Sequence, residues 1–172
     1  AMPAITKPTK TGYSFGGYYT ATNGGGTQYY TAAGASARPW DKTAATTLYA
    51  KWTAVTSKVS FNANGGTGGQ SAQVTASYGS AMPAISTTKP IYAGYTFGGW
   101  YDTSAASGGT QYYTAACASA RTWNKTAATT LYARWAKKAS HAVTLNKNGG
   151  TGGTSTVDYW PDKGYTTSST ST

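Results

Sequence analysis

The sequence predicts a mainly β fold made of tandem copies of a small mixed sheet, and three observations carry that expectation. The first is composition: 172 residues contain 15 Tyr and 22 Gly, only 4 acidic residues, and no Glu. Thr and Tyr suit strands, whereas helices draw on Leu, Glu and Lys. The second is alternation of apolar and polar residues over short runs bounded by Gly, Asn and Pro. The third is self-similarity at a spacing of about 84 residues, the mark of a repeat architecture. Three Ile, three Leu, five Val and three Phe are few for a packed domain, but 15 Tyr and 6 Trp offer large buried surfaces in their place.

Taken in chain order, strands are expected at residues 14–19, 46–52, 59–63 and 72–78, with equivalents in the second copy. Asn64-Gly65 and Asn148-Gly149 are tight-turn signals, because Asn and Gly tolerate the positive φ that a type I′ turn requires. The Ala-containing segments 31–38 and 114–121 leave room for one short helix per repeat, which would make the class α+β. The copies align closely. Residues 1–5 return as 81–85, residues 42–50 are identical to 125–133, and both of the latter runs lead to a Trp, at Trp52 and Trp135. Tyr13, Phe15, Leu48, Tyr49 and Trp52, with their sisters Tyr95, Phe97, Leu131, Tyr132 and Trp135, are the expected cores.

The division expected is an incomplete first repeat at 1–54 that lacks its N-terminal hairpin, and a complete second repeat at 55–138. The start of a third repeat follows at 139–160, then a Ser/Thr-rich tail at 161–172 of the kind found in linkers and glycosylated stalks. On this reading the surplus strand at the end is the type of strand the first repeat lacks. An exported protein with this sequence has already lost its signal peptide.

The chemistry on offer is narrow. Four Asp and one His are a thin supply for acid-base catalysis, so no catalytic residue, cofactor or metal ligand is assigned. The single Cys117 excludes an internal disulfide, and its sister position is Gly34, which argues against a catalytic thiol. The Gly-rich run 64–69 lacks the Lys-Ser/Thr of a phosphate loop and is read as a turn. Asn124 fits a glycan-acceptor pattern by chance, since its sister is Asp41. His141 is an ordinary surface residue. The net charge is +10, but the lysines are dispersed, so nucleic acid is not an expected partner, and no apolar run is long enough to span a membrane. The aromatic doublets place one ring on each face of a strand, which offers Tyr18, Tyr29, Trp100 and Tyr112 as exposed contacts.

The order Val59 to Gly66 (Val-x-Phe-Asn-x-Asn-Gly-Gly), Pro90, Gly94 to Tyr101 (Gly-Tyr-x-Phe-x-Gly-Trp-Tyr) and Leu131 to Trp135 (Leu-Tyr-Ala-Arg-Trp) resembles the Listeria/Bacteroides repeat, the internalin B-repeat-like family. That resemblance implies a β-grasp-like module, arrayed on secreted and surface-anchored bacterial proteins and without catalytic residues. It also directs the positive charge toward anionic cell-wall polymer. The function expected is a non-enzymatic extracellular structural protein. It would join head to tail into a filament or layer by strand donation, using Val143, Leu145, Val157 and Trp160 for self-association. The alternative is an adhesin or spacer that binds glycan, cell-wall polymer or host protein.

Overall fold

A computed structural model describes residues 1–160 and 164–166. Apart from one 3-10 turn at Thr22–Gly24, the regular structure of the described residues is strand: β1 (Tyr13–Tyr19), β2 (Gln28–Tyr30), β3 (Tyr49–Ala54), β4 (Thr56–Asn62), β5 (Val74–Ser77), β6 (Tyr95–Tyr101), β7 (Gln111–Tyr113), β8 (Thr129–Lys137), β9 (His141–Thr144), β10 (Thr156–Trp160) and β11 (Gly164–Thr166). They form sheets of order β2-β1-β3, β5-β4-β8-β6-β7 and β11-β10-β9. The second sheet is mixed, with β4 parallel to β8 and β6 antiparallel to it. The mainly β class read from composition and alternation therefore holds.

The short helix does not form. Residues 31–38 and 114–121 make tight turns, with Gly34 N–H on the Thr31 carbonyl and Cys117 N–H on the Thr114 carbonyl. Gly34 and Cys117 have φ of 82° and 62°, a left-handed conformation that a helix cannot continue through. Ser36 and Ser119 then bridge back to Tyr30 and Tyr113, so each segment folds onto its own short strand.

The chain forms two compact units. The first comprises Ala1–Lys58 with Thr75–Ala81 and Thr122–Ala128. The second comprises Val59–Val74, Met82–Arg121 and the described residues from Thr129 onward. Rings do most of the packing in both. In the first, Tyr29 and Tyr30 are buried, Phe15 meets Trp52 and Tyr18 edge-on at 5.7 and 5.2 Å, and Tyr13 meets Tyr78 at 5.8 Å. Trp123 is fully enclosed there, its indole N–H donating to Ser57 Oγ at 2.8 Å. The second unit buries Val59, Phe97, Trp100, Tyr112, Tyr113 and Leu131. Of the expected cores, only Phe97 and Leu131 are buried. Tyr13, Phe15, Leu48, Trp52, Tyr95, Tyr132 and Trp135 are half-buried, and Tyr49 is exposed.

A bulge accounts for the Gly-Gly pair inside β1 and β6. Pairing slips between Phe15 and Tyr18 and between Phe97 and Gly99. At the slip Gly17 and Gly99 have φ of 109° and 119°, and a Cβ there would lie 2.2 and 2.4 Å from the carbonyl oxygens of Tyr30 and Tyr113. Only glycine fits.

The identical runs 42–50 and 125–133 allow a controlled stability comparison. Leu131 is fully enclosed, while its sister Leu48 is half-buried. Leu131→Ala should cost about 2–5 kcal/mol, and Leu48→Ala about 1 kcal/mol or less, by denaturant titration. Equal losses would contradict the difference in burial.

Candidate functional site

The same nine residues adopt two states. In the second copy the strand begins at Thr129, and β4 lies beside it in parallel register, Val59 on Thr129, Phe61 on Leu131 and Asn62 on Tyr132. In the first copy the equivalents Thr46, Thr47 and Leu48 lie outside any strand, and β3 begins only at Tyr49. β3 is an edge strand where its sister β8 is central. An edge of this kind presents unpaired N–H and C=O groups along one side.

Two cavities flank that edge. One of about 500 Å³ is lined by Ile5, Thr6, Tyr18, Tyr30, Thr46 and Leu48. In the second unit the sisters of Tyr18 and Tyr30 are Trp100 and Tyr113, and the Phe61 ring rests on both, at 5.1 and 5.9 Å. The other cavity, of about 450 Å³, lies beside Trp52, Phe15, Tyr13 and residues 7–11. Its counterpart beside Trp135 is smaller, about 260 Å³. There Trp135 Nε1 donates to the carbonyls of Ala63 and Asn64 at 2.9 and 3.1 Å, and Asn64 Nδ2 donates to Ala133 O at 3.1 Å.

Of the expected self-association residues, Val143, Val157 and Trp160 sit on the C-terminal sheet, and Leu145 lies just beyond β9. Val143 and Leu145 are exposed, at 39% and 45%, and Val157 and Trp160 are half-buried. Val143 pairs with Val157 across the β9–β10 ladder, and the Lys137 ammonium stands 5.5 Å from the Trp160 ring centre. Residues 161–163 and 167–172 of the expected tail lie outside the described residues.

The four exposed aromatic contacts require correction. Tyr29, Trp100 and Tyr112 are fully buried and Tyr18 is half-buried. The outer faces of the short strands β2 and β7 are covered by the chain that follows. Trp40 lies 5.0 Å from the Tyr29 ring, and the Arg38 and Arg121 guanidiniums stand over Tyr29 and Tyr112 at 5.3 and 5.5 Å. In β6 the bulge breaks the two-residue alternation before Trp100. The large rings that are exposed include Trp40, Tyr49 and Tyr92. Trp40 is the sister of the enclosed Trp123, a difference that follows from tertiary context and not from local sequence.

Chemically the described residues are quiet. Among them no three His, Cys, Asp or Glu side chains gather where a metal could bind, and no helix is long and apolar enough to cross a membrane. His141 is exposed on β9, and Cys117 is buried, which pushes its thiol up. Asp41 is a carboxylate with a lowered pKa. It accepts from the Tyr29 hydroxyl, and Arg38 Nη2 lies 2.8 Å from its Oδ2. The Tyr29 hydrogen bond first, and then Arg38 and Lys42, hold it below the ordinary 3.8.

The model of the Listeria-Bacteroides repeat domain matches residues 1–51 and 58–134. No curated protein and no solved structure matched the chain.

Because the folded carboxyl of Asp41 titrates below its ordinary value, its contribution is fully present above that value and fades as pH falls through the lowered one. Asp41→Asn should therefore lower the melting temperature at pH 6–7, and the gap from the parent should close in strong acid. A gap that is constant with pH would contradict the Tyr29–Asp41–Arg38 cluster.

Proposed function

The chain belongs to the Listeria-Bacteroides repeat family, and on that premise we propose that it is a non-enzymatic extracellular structural protein that joins head to tail by strand donation. The coarse part of this reading is the family's: its repeats occur in bacterial surface proteins and are typically structural. The finer part is ours. Residues 139–160 supply a strand to the edge that residues 1–54 present in another copy, with residues 55–138 as the repeat between them.

The observation that carries it is the two states of one sequence. Residues 125–133 enter a strand with β4 beside them, whereas residues 42–50 have no such neighbour among the described residues. Exposed Val143 and Leu145 are the sequence sisters of Val59 and Phe61. An edge and a complementary strand on different parts of one molecule make a heterologous contact, which grows into a filament or layer unless it closes.

A second reading, an adhesin or spacer, is favoured by exposed Ile91 and Tyr92, at 71% and 37%. Tyr92 stacks on Tyr95 at 4.5 Å beside Lys89 and Lys138. Such a platform suits a sugar ring or an anionic cell-wall polymer.

Sedimentation of the full chain across concentration should give a series of growing oligomers, and Leu145→Asp should return it to monomer. A full chain that stays monomeric throughout, or a variant that polymerises unchanged, would rule out strand donation. Tyr92→Ala should leave the series unchanged. Its weakening of glycan or wall-polymer binding would be the mark of the second reading.

A further inference from the structure

We propose that the cavity beside Tyr92 in the second unit binds an acidic sugar, a pyranose ring that carries a carboxylate, with its apolar face on the aromatic wall and its carboxylate toward Lys89. This deepens the adhesin reading and rests on it.

The two copies of the loop that borders this cavity differ in a telling way. Residues 6–13 (Thr-Lys-Pro-Thr-Lys-Thr-Gly-Tyr) are the sisters of residues 88–95 (Thr-Lys-Pro-Ile-Tyr-Ala-Gly-Tyr). Three positions differ, and each replaces a polar side chain by an apolar or aromatic one: Thr9, Lys10 and Thr11 become Ile91, Tyr92 and Ala93. All three replacements are exposed, Ile91 at 71% and Tyr92 at 37%. Both loops nevertheless close in the same form. Gly12 and Gly94 have φ of 78° and 79°, and the N–H groups of Tyr13 and Tyr95 donate to the carbonyls of Lys10 and Tyr92 at 3.0 Å. The fold is satisfied by Thr and Lys at these places, so exposed Ile91 and Tyr92 serve something other than folding. Exposed apolar surface of this kind marks a contact site.

The cavity is about 260 Å³, walled by Tyr92, Tyr95, Phe97 and Trp135 with Pro90 beside them. Each ring is held by another. Tyr92 stacks on Tyr95 at 4.5 Å with planes 8° apart, and Trp135 meets Tyr92 and Phe97 edge-on at 5.5 and 5.7 Å. The loop is anchored twice, by two 2.8 Å backbone bonds between Ile91 and Thr67 and by Lys138 N–H on the Gly94 carbonyl at 2.9 Å. A wall fixed before contact loses little freedom on binding. In the first unit the Lys10 ammonium stands 4.2 Å from the Tyr13 ring centre, so a cation occupies the place of the second aromatic face. Neighbouring chain leaves the site open. The turn at residues 64–66 is seated on Trp135 without filling it, and the first unit, which a whole repeat follows in sequence, keeps the counterpart cavity open as well.

Wall and rim together select the ligand. A flat aromatic wall takes the C–H face of a sugar ring, which a polyol-phosphate chain lacks. The rim carries exposed Lys89 and half-buried Lys138, and among the described residues no carboxylate lines the cavity. With a net charge of +10 behind it, such a rim draws an anion in preference to a neutral glycan.

Calorimetric titration of the dilute full chain with an oligomer of galacturonic acid tests the site, at about 0.15 M salt so that charges more than about 8 Å apart are screened. Tyr92→Lys and Ile91→Thr install side chains that the first copy already carries, so both should keep the parent's melting temperature. Tyr92→Lys should still weaken binding about tenfold. Because it adds a positive charge, a contact made by charge alone would tighten instead. Lys89→Gln, on an exposed side chain that keeps the test open should either other variant unfold, should weaken binding about threefold. The methyl-esterified oligomer has the same rings without the charge, and it should bind more weakly than the acid and be indifferent to Lys89→Gln. If the acid oligomer binds the parent and Tyr92→Lys equally, this cavity is wrong while the adhesin reading stands. Equal binding of ester and acid overturns the acidic class, and binding of poly(glycerol phosphate) in place of the acid oligomer overturns the sugar; each leaves the adhesin reading intact. A chain that binds none of the three defeats this site together with the glycan and wall-polymer form of that reading.

Discussion

The parallel pairing of β4 with β8 is the contact on which the rest of the second unit depends. It turns Thr129, Thr130 and Leu131 into strand, encloses Leu131 and Ala133, and brings the Asn64-Gly65-Gly66 turn under Trp135. The first unit shows what the same sequence does without it. Leu48 is half-buried, Tyr49 is 42% exposed, and two cavities stand where a phenylalanine and a turn would sit. Local propensity is identical in the two copies, so the difference is tertiary.

Rings take the place of aliphatic packing throughout. Edge-on contacts of 5 to 6 Å link Phe15, Tyr18 and Trp52 in one unit and Phe97, Trp100 and Trp135 in the other. Cations finish the outer faces. Lys51 stands over Tyr19, and its sister Arg134 stands over Tyr101 at 3.8 Å. Much of the positive charge near rings thus has a structural use, which is consistent with its dispersal along the sequence.

The repeat and the β class were legible because they rest on alternation and self-similarity, both local properties, whereas the short strands β2 and β7 and the late start of β3 at Tyr49 were not. The turn at Asn64-Gly65 was legible from residue chemistry, and its φ values of 50° and 92° agree with it. Burial was not. Alternation assigns one ring of each doublet to solvent, yet Tyr29 and Tyr112 are covered by Arg38 and Arg121, which approach from the following loop. The Ala-rich segments suit a helix by propensity, but a left-handed residue at Gly34 and Cys117 turns each back on its strand. The cavities beside Tyr18 and Trp52 were not legible, because what their sisters Trp100 and Trp135 pack against, Phe61 and the Asn64 turn, comes from a distant part of the sequence.

Hydrogen–deuterium exchange at Thr46, Thr47 and Leu48, compared with Thr129, Thr130 and Leu131, tests the open edge most directly. The sequences are identical, so intrinsic exchange is matched. In dilute protein the first set should exchange fast and the second slowly, and raising the concentration should protect the first set until the two converge. First-set amides that are already protected in the monomer, or that remain fast in assembled protein, would contradict the account.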